Sequence, residues 1–259
     1  MKAKELTVCG LAAVRALFAR DAQAIVRLYF DDATGRSIGM ICRALAAARK
    51  VYRCVEPAEL EKIAGTVHHG GIVAVIAERP LRPPRPEEVR RWARAGEALL
   101  LLDRIGNVHN LGAIVRTAAF FGVPRIIISD HPQQARPGEA AYRIAEGGME
   151  HVEIYTVKSL AGFVRDLRPF YLVVGATVRG AEPLGRKAER SLGNHLPAVA
   201  NARPVALVLG NEEQGLAAEV EAACEQRVRI PGRGAVESLN VSAAAAVLLH
   251  HFFGLFPAH

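Results

Sequence analysis

Apolar residues in the second half of the chain form short, nearly continuous runs, separated by stretches with helical spacing. The runs predict strands at residues 98–102, 125–129, 171–175, 205–209 and 227–230. Strands that are apolar along their whole length are typical of a parallel sheet covered by helices on both faces. Such sheets bind ligands in the loops that follow the carboxyl ends of their strands, so those loops are where chemistry is expected.

The first 80 residues show a different pattern, in which β-rich runs alternate with helical spacing. The predicted strands are 24–30, 51–55 and 72–77, and the predicted helices are 11–19, 36–49 and 58–63. This alternation indicates a small α/β domain of about 75 residues.

Prolines divide these two parts of the chain. The prolines are Pro80, Pro83, Pro84 and Pro86. Because proline removes a backbone donor and disfavours helix in the preceding residue, we predict an extended linker, with room for a short helix at 87–94. The expected organisation is a domain at 1–80, a Pro/Arg-rich linker at 81–98 and a second domain at 99–259.

Positive charge is concentrated at the start of the chain. The net charge is +7, from 33 Lys and Arg against 26 Asp and Glu. Residues 1–80 carry +4 (12 basic and 8 acidic), residues 81–98 carry +2 (5 and 3), and residues 99–259 carry +1 (16 and 15). A basic balance favours a polyanionic partner, and its distribution assigns most of that contact to the first 98 residues.

Composition excludes several classes of protein. With 51% hydrophobic and 23% charged residues, the chain is globular rather than disordered or held by disulfides. Cys9, Cys42, Cys54 and Cys224 have no CxxC spacing, so we expect buried thiols in a reducing cytoplasm. No apolar run reaches the roughly 18–20 residues that span a bilayer, and the first residues lack the apolar stretch of a secretory signal, so we expect neither a membrane span nor a signal. The histidines lack metal-ligand spacing, so no metal site is expected.

The loop after 98–102 leads into a helix that carries four candidate polar or glycine positions. Asn107 or His109-Asn110 can cap this helix by accepting hydrogen bonds from its first N–H groups. Gly112 and Arg116 are four residues apart, hence on one face, where the glycine leaves room for a ligand to approach. A helix arginine is usually solvated, so Arg116 alone would not indicate a site.

The loops after 205–209 and 227–230 are also polar and glycine-rich. The first reads Gly210-Asn211-Glu212-Glu213-Gln214-Gly215, and the second runs from Ile230 to Asn240 before an alanine-rich helix expected to end near Phe253. Ser238 or Asn240 can cap that helix. Taken singly, each loop could be an ordinary connection between a strand and a helix. The GxGxxG, GxxxxGK[ST], GxSxG and HExxH motifs do not occur in the sequence.

Taken together, in this order and spacing, the three loops resemble the three signature motifs of the SpoU/TrmH family of RNA ribose 2′-O-methyltransferases, in the SPOUT superfamily. The matching residues are Asn110, Gly112, Arg116, Thr117 and Ala118, then Leu209, Gly210, Asn211, Glu212, Gly215 and Leu216, then Ile230, Pro231, Gly234, Ser238, Leu239, Asn240, Val241 and Ser242. The chain departs from the family at Asn107-Val108, where Asp-Pro is usual, at Gly232, often methionine, and at Glu213, often glycine.

Residues 1–80 resemble the family's N-terminal substrate-binding domain, which is similar to RNA-binding ribosomal proteins. The marker is His69-Gly70-Gly71-Ile72. The resemblance therefore implies an α/β chain with a small ribosomal-protein-like RNA-binding domain and a C-terminal SPOUT domain. It implies that the SPOUT domain contains a parallel sheet and a deep trefoil knot.

The resemblance also implies a cofactor, a reaction and partners. S-adenosylmethionine would be bound by Leu209, Gly210, Asn211, Ile230, Ser238 and Leu239. A ribose 2′-hydroxyl would be methylated with catalytic roles for Arg116, Asn110, Glu212, Ser238 and Asn240. The expected protein is a cytoplasmic homodimer that does not bind membranes, and rRNA is favoured over tRNA as substrate.

Arg116 is open to two interpretations, as a general base and as a clamp on the RNA phosphate. The clamp is chemically easier, because a guanidinium holds its proton and binds phosphate in a fork. Two other functions remain as alternatives. One is a non-catalytic RNA-binding or ribosome-assembly protein that retains the fold. The other is a nucleotide-dependent oxidoreductase, which the missing glycine fingerprint disfavours.

Overall fold

The computed structural model describes residues 4–178, 180–184 and 203–254, and the chain divides into two compact units. One unit contains the residues up to Pro80 together with Pro137–His151, and the other contains Leu81–Arg136 and the residues from Val152 onward. The sequence prediction differs from this division in two places. It assigned residues 137–151 to the second domain, and it treated residues 81–98 as a linker.

The first unit is built on a four-stranded sheet of order β1-β4-β2-β3. Its strands are β1 (Glu5–Cys9), β2 (Ile25–Phe30), β3 (Val51–Cys54) and β4 (Ile72–Ala77). Its helices are α1 (Leu11–Asp21), α2 (Asp32–Gly35), α3 (Gly39–Ala47) and α4 (Pro57–Ala64). Central β4 pairs antiparallel with β1 and β2, and β3 pairs parallel with β2 at the edge. The predicted strand at 72–77 coincides with β4, whereas β1 and α2 were missed.

Residues 137–151 belong to the first unit because their polar groups bond to it. Glu139 accepts a hydrogen bond from the Thr7 amide over 3.1 Å. The buried carboxylate of Glu150 accepts from Arg79 over 2.9 Å, and the carbonyl of Glu150 accepts from Arg20. Gly147, at φ +95, packs against α1. The segment forms α7 (Glu139–Ala145) and a 3-10 turn at Gly148–Glu150.

The second unit is built on a seven-stranded sheet in which every pairing is parallel, as predicted. The order is β7-β6-β5-β10-β8-β11-β9. The strands are β5 (Leu99–Asp103), β6 (Arg125–Ser129), β7 (Glu153–Val157), β8 (Leu172–Ala176), β9 (Glu182–Pro183), β10 (Val205–Gly210) and β11 (Gln226–Arg229). Leu99 to Leu102 are buried throughout, which explains the continuous apolar run. The predictions missed β7 and β9.

Helices cover this sheet and complete the second unit. They are α5 (Pro86–Arg94), α6 (Val108–Phe120), α8 (Leu160–Leu167), α9 (Ala218–Ala223) and α10 (Val241–Leu249), followed by a π-helical turn at His250–Gly254. On one face, Leu99 and Leu101 share a core with Val89 of α5 and Val164 of α8. Because alternate strand residues point to opposite faces, Leu100 and Leu102 face the other side. In this unit α6 also packs against α10.

The segment predicted to be a linker is part of the second unit's core. Trp92 of α5 is 1% exposed. Its ring lies 5.2 Å from that of Tyr155, and the Arg125 guanidinium lies over the Trp92 ring at 4.6 Å. Arg82 lies over the Tyr155 ring at 4.9 Å, and its carbonyl accepts a hydrogen bond from the Thr156 amide. These contacts fix residues 81–98 to the sheet, so the linker prediction is wrong there.

No helix in the described ranges is long and apolar enough to cross a membrane.

The prediction of buried cysteines holds only in part. Cys9 is buried, Cys42 and Cys224 are half-buried, and Cys54 on edge strand β3 is exposed. Burial raises the pKa of Cys9 to about 11 and that of Cys224 to about 12, so both thiols stay protonated at neutral pH.

Candidate active site at the carboxyl edge of the parallel sheet

A cavity of about 540 Å³ lies at the carboxyl ends of β8, β10 and β11, in the second unit. Every residue predicted to bind a cofactor lines it, namely Leu209, Gly210, Asn211, Ile230, Ser238 and Leu239. The wall combines apolar side chains with backbone groups of two glycine-containing loops. Cavities of this size and character accommodate small organic ligands.

The loop after β10 has a tight conformation that requires glycine at two positions. Asn211 and Gly215 exchange backbone hydrogen bonds of 3.0 Å in both directions. The side-chain oxygen of Asn211 accepts from the amides of Glu213 and Gln214. A Cβ atom at position 210 would lie 2.3 Å from the Gly215 carbonyl carbon, and Gly215 itself has φ +69. The glycines therefore allow the loop to fold back on the strand end.

A chain of amide and carboxylate side chains joins the three loops. The Asn110 amide nitrogen donates to Glu212 over 2.7 Å, and the Asn240 amide nitrogen donates to the Asn110 carbonyl oxygen over 3.2 Å. Asn240 in turn accepts from the Ser242 amide and hydroxyl. Asn110 is buried on α6, and both ends of its side-chain amide are hydrogen-bonded. Three of the five residues predicted to be catalytic are thus brought into direct contact.

The other two predicted catalytic residues lie in the same unit with exposed side chains. Arg116 is on α6, six residues beyond Asn110, and Ser238 lines the cavity from the loop before α10.

The structure shows which of the residues predicted as helix caps make the cap. Asn107 caps α6 by accepting from the His109 amide, and Asn240 caps α10 by accepting from the Ser242 amide. The departure from Asp-Pro at residues 107–108 therefore leaves the cap in place.

Sequence reasoning missed two residues beside the site, Asp103 and Arg104. Asp103 ends β5 and is buried, and one of its carboxylate oxygens accepts from the Ala217 amide over 2.7 Å. The Arg104 guanidinium donates to Gln214 and to the Gly215 carbonyl. The available signal was a buried charge, since an aspartate at the end of an all-apolar strand needs a partner.

Metal ions in proteins are held by sets of His, Cys, Asp or Glu side chains. In the part of the chain that the structure describes, no group of three or more His, Cys, Asp or Glu side chains could hold a metal ion. The chemistry that the five residues predicted to be catalytic can perform is that of amides, one carboxylate, a hydroxyl and an arginine. Such groups orient a substrate and stabilise developing charge around a bound reactant.

Comparison with known proteins places both parts of the chain. A model of the SpoU rRNA Methylase family matches residues 97–250, and a model described as RNA 2′-O ribose methyltransferase substrate binding matches residues 7–81. An uncharacterized tRNA/rRNA methyltransferase, YfiF of Escherichia coli O157:H7, is 36% identical over 252 residues. That alignment covers 96% of this chain and 68% of the relative.

A second relative is a 23S rRNA (guanosine-2′-O-)-methyltransferase, RlmB of Acinetobacter baylyi, with 32% identity over 192 residues, 74% of this chain and 73% of the relative. Among solved structures, the AdoMet-bound rRNA methyltransferase from Sinorhizobium meliloti matches with a TM-score of 0.73 and 22% identity. That match covers 98% of this chain and 88% of the other. At 22% identity, the structural match supports the fold alone.

Proposed function

This chain belongs to the SpoU rRNA methylase family, and we propose that it transfers a methyl group from S-adenosylmethionine to a ribose 2′-hydroxyl of RNA. One observation carries the proposal. The loops after β8, β10 and β11 enclose an apolar cavity, and Asn110, Glu212 and Asn240 form one chain of hydrogen bonds beside it. A methyl donor and a hydroxyl acceptor need such adjoining apolar and polar compartments.

The cavity fits the proposed cofactor. Leu209, Ile230 and Leu239 supply apolar surface for an adenine ring, and the backbone of the loops supplies hydrogen-bonding groups. Gly210 and Gly215 keep side chains out of the space beside that backbone. When bound, S-adenosylmethionine supplies a positively charged sulfonium that carries the reactive methyl group.

The residues of the chain have to position the ribose oxygen and remove its proton. In-line displacement needs the hydroxyl held against the methyl carbon, which orientation by the Asn110–Glu212–Asn240 chain provides. Arg116 then binds the adjacent RNA phosphate through two parallel N–H donors and so orients the hydroxyl, whose proton that phosphate shares. Ser238 donates to the ribose from the cavity rim. The roles of all these residues are part of the proposal.

We favour rRNA over tRNA as the substrate. Support comes from relatives named as 23S rRNA methyltransferases and from the substrate-binding model that matches residues 7–81. Exposed arginines on α5 of the second unit, Arg90, Arg91 and Arg94, offer further contacts for phosphates. An rRNA substrate also supports the expectation of a cytoplasmic protein.

We further propose a homodimer formed through α6 and α10. Phe120 on α6 is 81% exposed and Val247 on α10 is 40% exposed, although these two helices pack together beside the cavity. Large apolar side chains exposed on adjoining helices are typical of a protein interface. The loop before α10 adds exposed Val236 and Leu239.

The deep trefoil knot implied by the family resemblance is also part of the proposal. The strand order supports it, because β10 inserts between β5 and β8 while β11 lies beyond β8.

Two measurements test the main proposal. Titration calorimetry with S-adenosylmethionine should show binding, whereas a non-catalytic RNA-binding protein that only retains the fold has no need of it. Mass mapping of ribose methylation in total RNA, from cells with and without this chain, should show one modified nucleotide that depends on it. Failure of both would leave RNA binding without catalysis as the better interpretation.

A further inference from the structure

Arg104 has a backbone conformation that residues with a Cβ rarely adopt. Its φ is +58, and in the described residues only Arg49 and Glu146 share a positive φ outside glycine. Those two lie where α3 and α7 end, and a left-handed residue commonly closes a helix. Arg104 instead follows strand β5, so helix termination does not account for its conformation. A disfavoured conformation of this kind persists only where surrounding contacts hold it.

The Arg104 side chain makes the contacts that hold it. Its guanidinium donates to the Gln214 side-chain oxygen over 3.0 Å and to the Gly215 carbonyl over 3.3 Å. It also forms a two-point contact of 3.3 Å with the Asp103 carboxylate. Only 15% of the side chain is exposed. The arginine therefore reaches from the loop after β5 into the loop after β10.

The backbone around Arg104 binds the same neighbouring loop. The Arg104 carbonyl accepts a hydrogen bond from the Asn211 side chain over 2.8 Å. Asp103 accepts from the Ala217 amide, so both ends of loop 211–217 are bound to two consecutive residues. On the other side, Gln134 bonds to both backbone groups of Ile105 and fixes the chain as it leaves Arg104.

We propose that Arg104 is a positioning residue for methyl transfer, which sets the place of loop 211–217 and thereby of Glu212. Glu212 lies within that loop and meets Asn110 at 2.7 Å, and Asn211 and Gly215 from the same loop form part of the cavity wall. One arginine thus fixes both the polar chain and one side of the cofactor cavity. This inference rests on the proposed function, because it assigns the role within that reaction.

The backbone conformation supplies a way to separate strain from contact. Glycine accepts a positive φ freely, so Arg104→Gly removes the guanidinium and relieves the strain together. Arg104→Ala removes the guanidinium and keeps the strain, and Arg104→Lys keeps the charge but cannot span Asp103, Gln214 and Gly215 at once. If Arg104 served only stability, Arg104→Gly would be the least harmful of the three.

For catalysis we expect the opposite, namely that Arg104→Gly is not the least harmful of the three variants. Arg104→Gly should lower kcat by about tenfold to a hundredfold, as for a displaced reacting group, and raise KM for S-adenosylmethionine. Its melting temperature should equal or exceed that of Arg104→Ala. Arg104→Lys should recover only a small part of kcat. A matched control is Arg125→Ala, since the Arg125 side chain is also 15% exposed and pairs with Glu97, but lies at the amino end of β6. That variant should lose stability and keep kcat and KM.

Amide hydrogen exchange in the absence of cofactor and RNA tests the same idea without the reaction. In Arg104→Gly, the amides of Gly215 and Ala217 should exchange faster, while strand amides of β6 should not change. If the unaltered chain neither binds S-adenosylmethionine nor methylates RNA, the proposed function fails, and the exchange result still reports on the loop. Normal kcat, or normal exchange at Gly215 and Ala217, in Arg104→Gly would overturn the positioning role.

Discussion

The side-chain amide of Asn110 donates to the Glu212 carboxylate over 2.7 Å, across 102 positions of sequence. The contact joins helix α6 to the loop after β10, and the other end of the Asn110 amide accepts from Asn240. The uncharged side-chain amide donates to a carboxylate with its nitrogen and accepts from another amide with its oxygen. The asparagine at position 110 therefore satisfies both partners at once.

Asn110→Asp should therefore disrupt the site while barely changing its shape. The new carboxylate faces Glu212 at hydrogen-bond distance, and two like charges there repel unless one carboxyl holds a proton. We expect kcat to fall about a hundredfold or more at neutral pH and to recover partly as the pH is lowered, because a shared proton restores the bond. A pH profile of single-turnover methylation measures this.

The matched control changes an asparagine to aspartate three residues earlier. Asn107→Asp keeps the cap on α6, and a negative charge at a helix N-terminus is favourable. Activity should stay near that of the unaltered chain. An equal loss in both variants would mean that added charge near α6, rather than the bond to Glu212, determines the effect.

Arg116→Ala should abolish methylation and leave the affinity for S-adenosylmethionine intact. Arg116 lies on the exposed side of α6, whereas the cavity is lined from the loops after β8, β10 and β11. Arg116→Lys should fail almost as badly, because a lysine is a point charge and cannot bind phosphate with two parallel donors. Calorimetry for the cofactor and a methyl-transfer assay for kcat separate the two effects.

An exposed arginine on another helix of the same unit serves as the comparison. Arg165 on α8 should tolerate alanine with little change in turnover. Near-normal turnover by Arg116→Lys would contradict the phosphate clamp.

Gly210→Ala should abolish cofactor binding through a steric clash. The added Cβ would lie 2.3 Å from the Gly215 carbonyl carbon and 2.4 Å from the Leu216 amide nitrogen, both of them backbone atoms that cannot rotate away. The loop must move, at a cost of about 1–3 kcal/mol of folding free energy, and the cavity wall moves with it. Gly39→Ala in α3 meets nothing within 4 Å and should change neither stability nor binding by much. Tight S-adenosylmethionine binding by Gly210→Ala would show that the cavity is not the cofactor site.

Phe120→Asp should weaken a dimer without unfolding the monomer. Phe120 ends α6 with 81% of its surface exposed, so the single protomer gains little from its ring. Sedimentation equilibrium should show a dimer for the unaltered chain and a shift toward monomer for the variant. Phe163, half-buried against the core on the other face of the sheet, gives a contrasting variant, since Phe163→Ala should cost stability and leave assembly unchanged. A monomeric unaltered chain would refute the proposed dimer.

The buried strands could be read from the sequence because their environment is uniform. Arg125–Ser129 and Ile72–Ala77 were located to the residue, and both lie inside their sheets with neighbours on each side. The strand Glu153–Val157 was missed because it is an edge strand in which polar residues alternate with apolar ones. The strand Glu5–Cys9 was missed for the same reason.

At two other places the prediction from the sequence failed because the structure there depends on long-range packing. Prolines correctly indicate that residues 80–85 form neither helix nor strand, but nothing local shows that Trp92 enters the core a few residues later. Residues 137–151 lie between β6 and β7 of the second sheet in sequence and yet bond to Thr7 and Arg79. The site loops were found from strand ends and motif spacing, whereas Arg104 was not, because its role depends on φ and on partners more than 100 positions away.

The packing of residues 81–98 into the second unit limits how the source of RNA affinity can be tested. The charge count assigns most RNA contact to the first 98 residues, and their deletion would be the direct experiment. That deletion would also remove Val89 and Trp92 from the core of the second unit. It would remove Arg79 as well, which donates a hydrogen bond to the buried Glu150 carboxylate. Loss of every activity would then report unfolding, so charge must be removed without removing packing.

Arg91→Gln with Arg94→Gln does this on α5. Both side chains are exposed, while Val89 and Trp92 remain buried on the opposite side of the helix. If these arginines contact phosphates, RNA affinity falls, and the slope of log affinity against log salt decreases by roughly 1–2, as expected for two lost counterion-releasing contacts. Affinity for S-adenosylmethionine stays the same. Glu87→Gln, on the same exposed stretch of α5, should leave the slope unchanged or steepen it. An unchanged slope in the double variant would show that the phosphate contacts lie elsewhere in the chain.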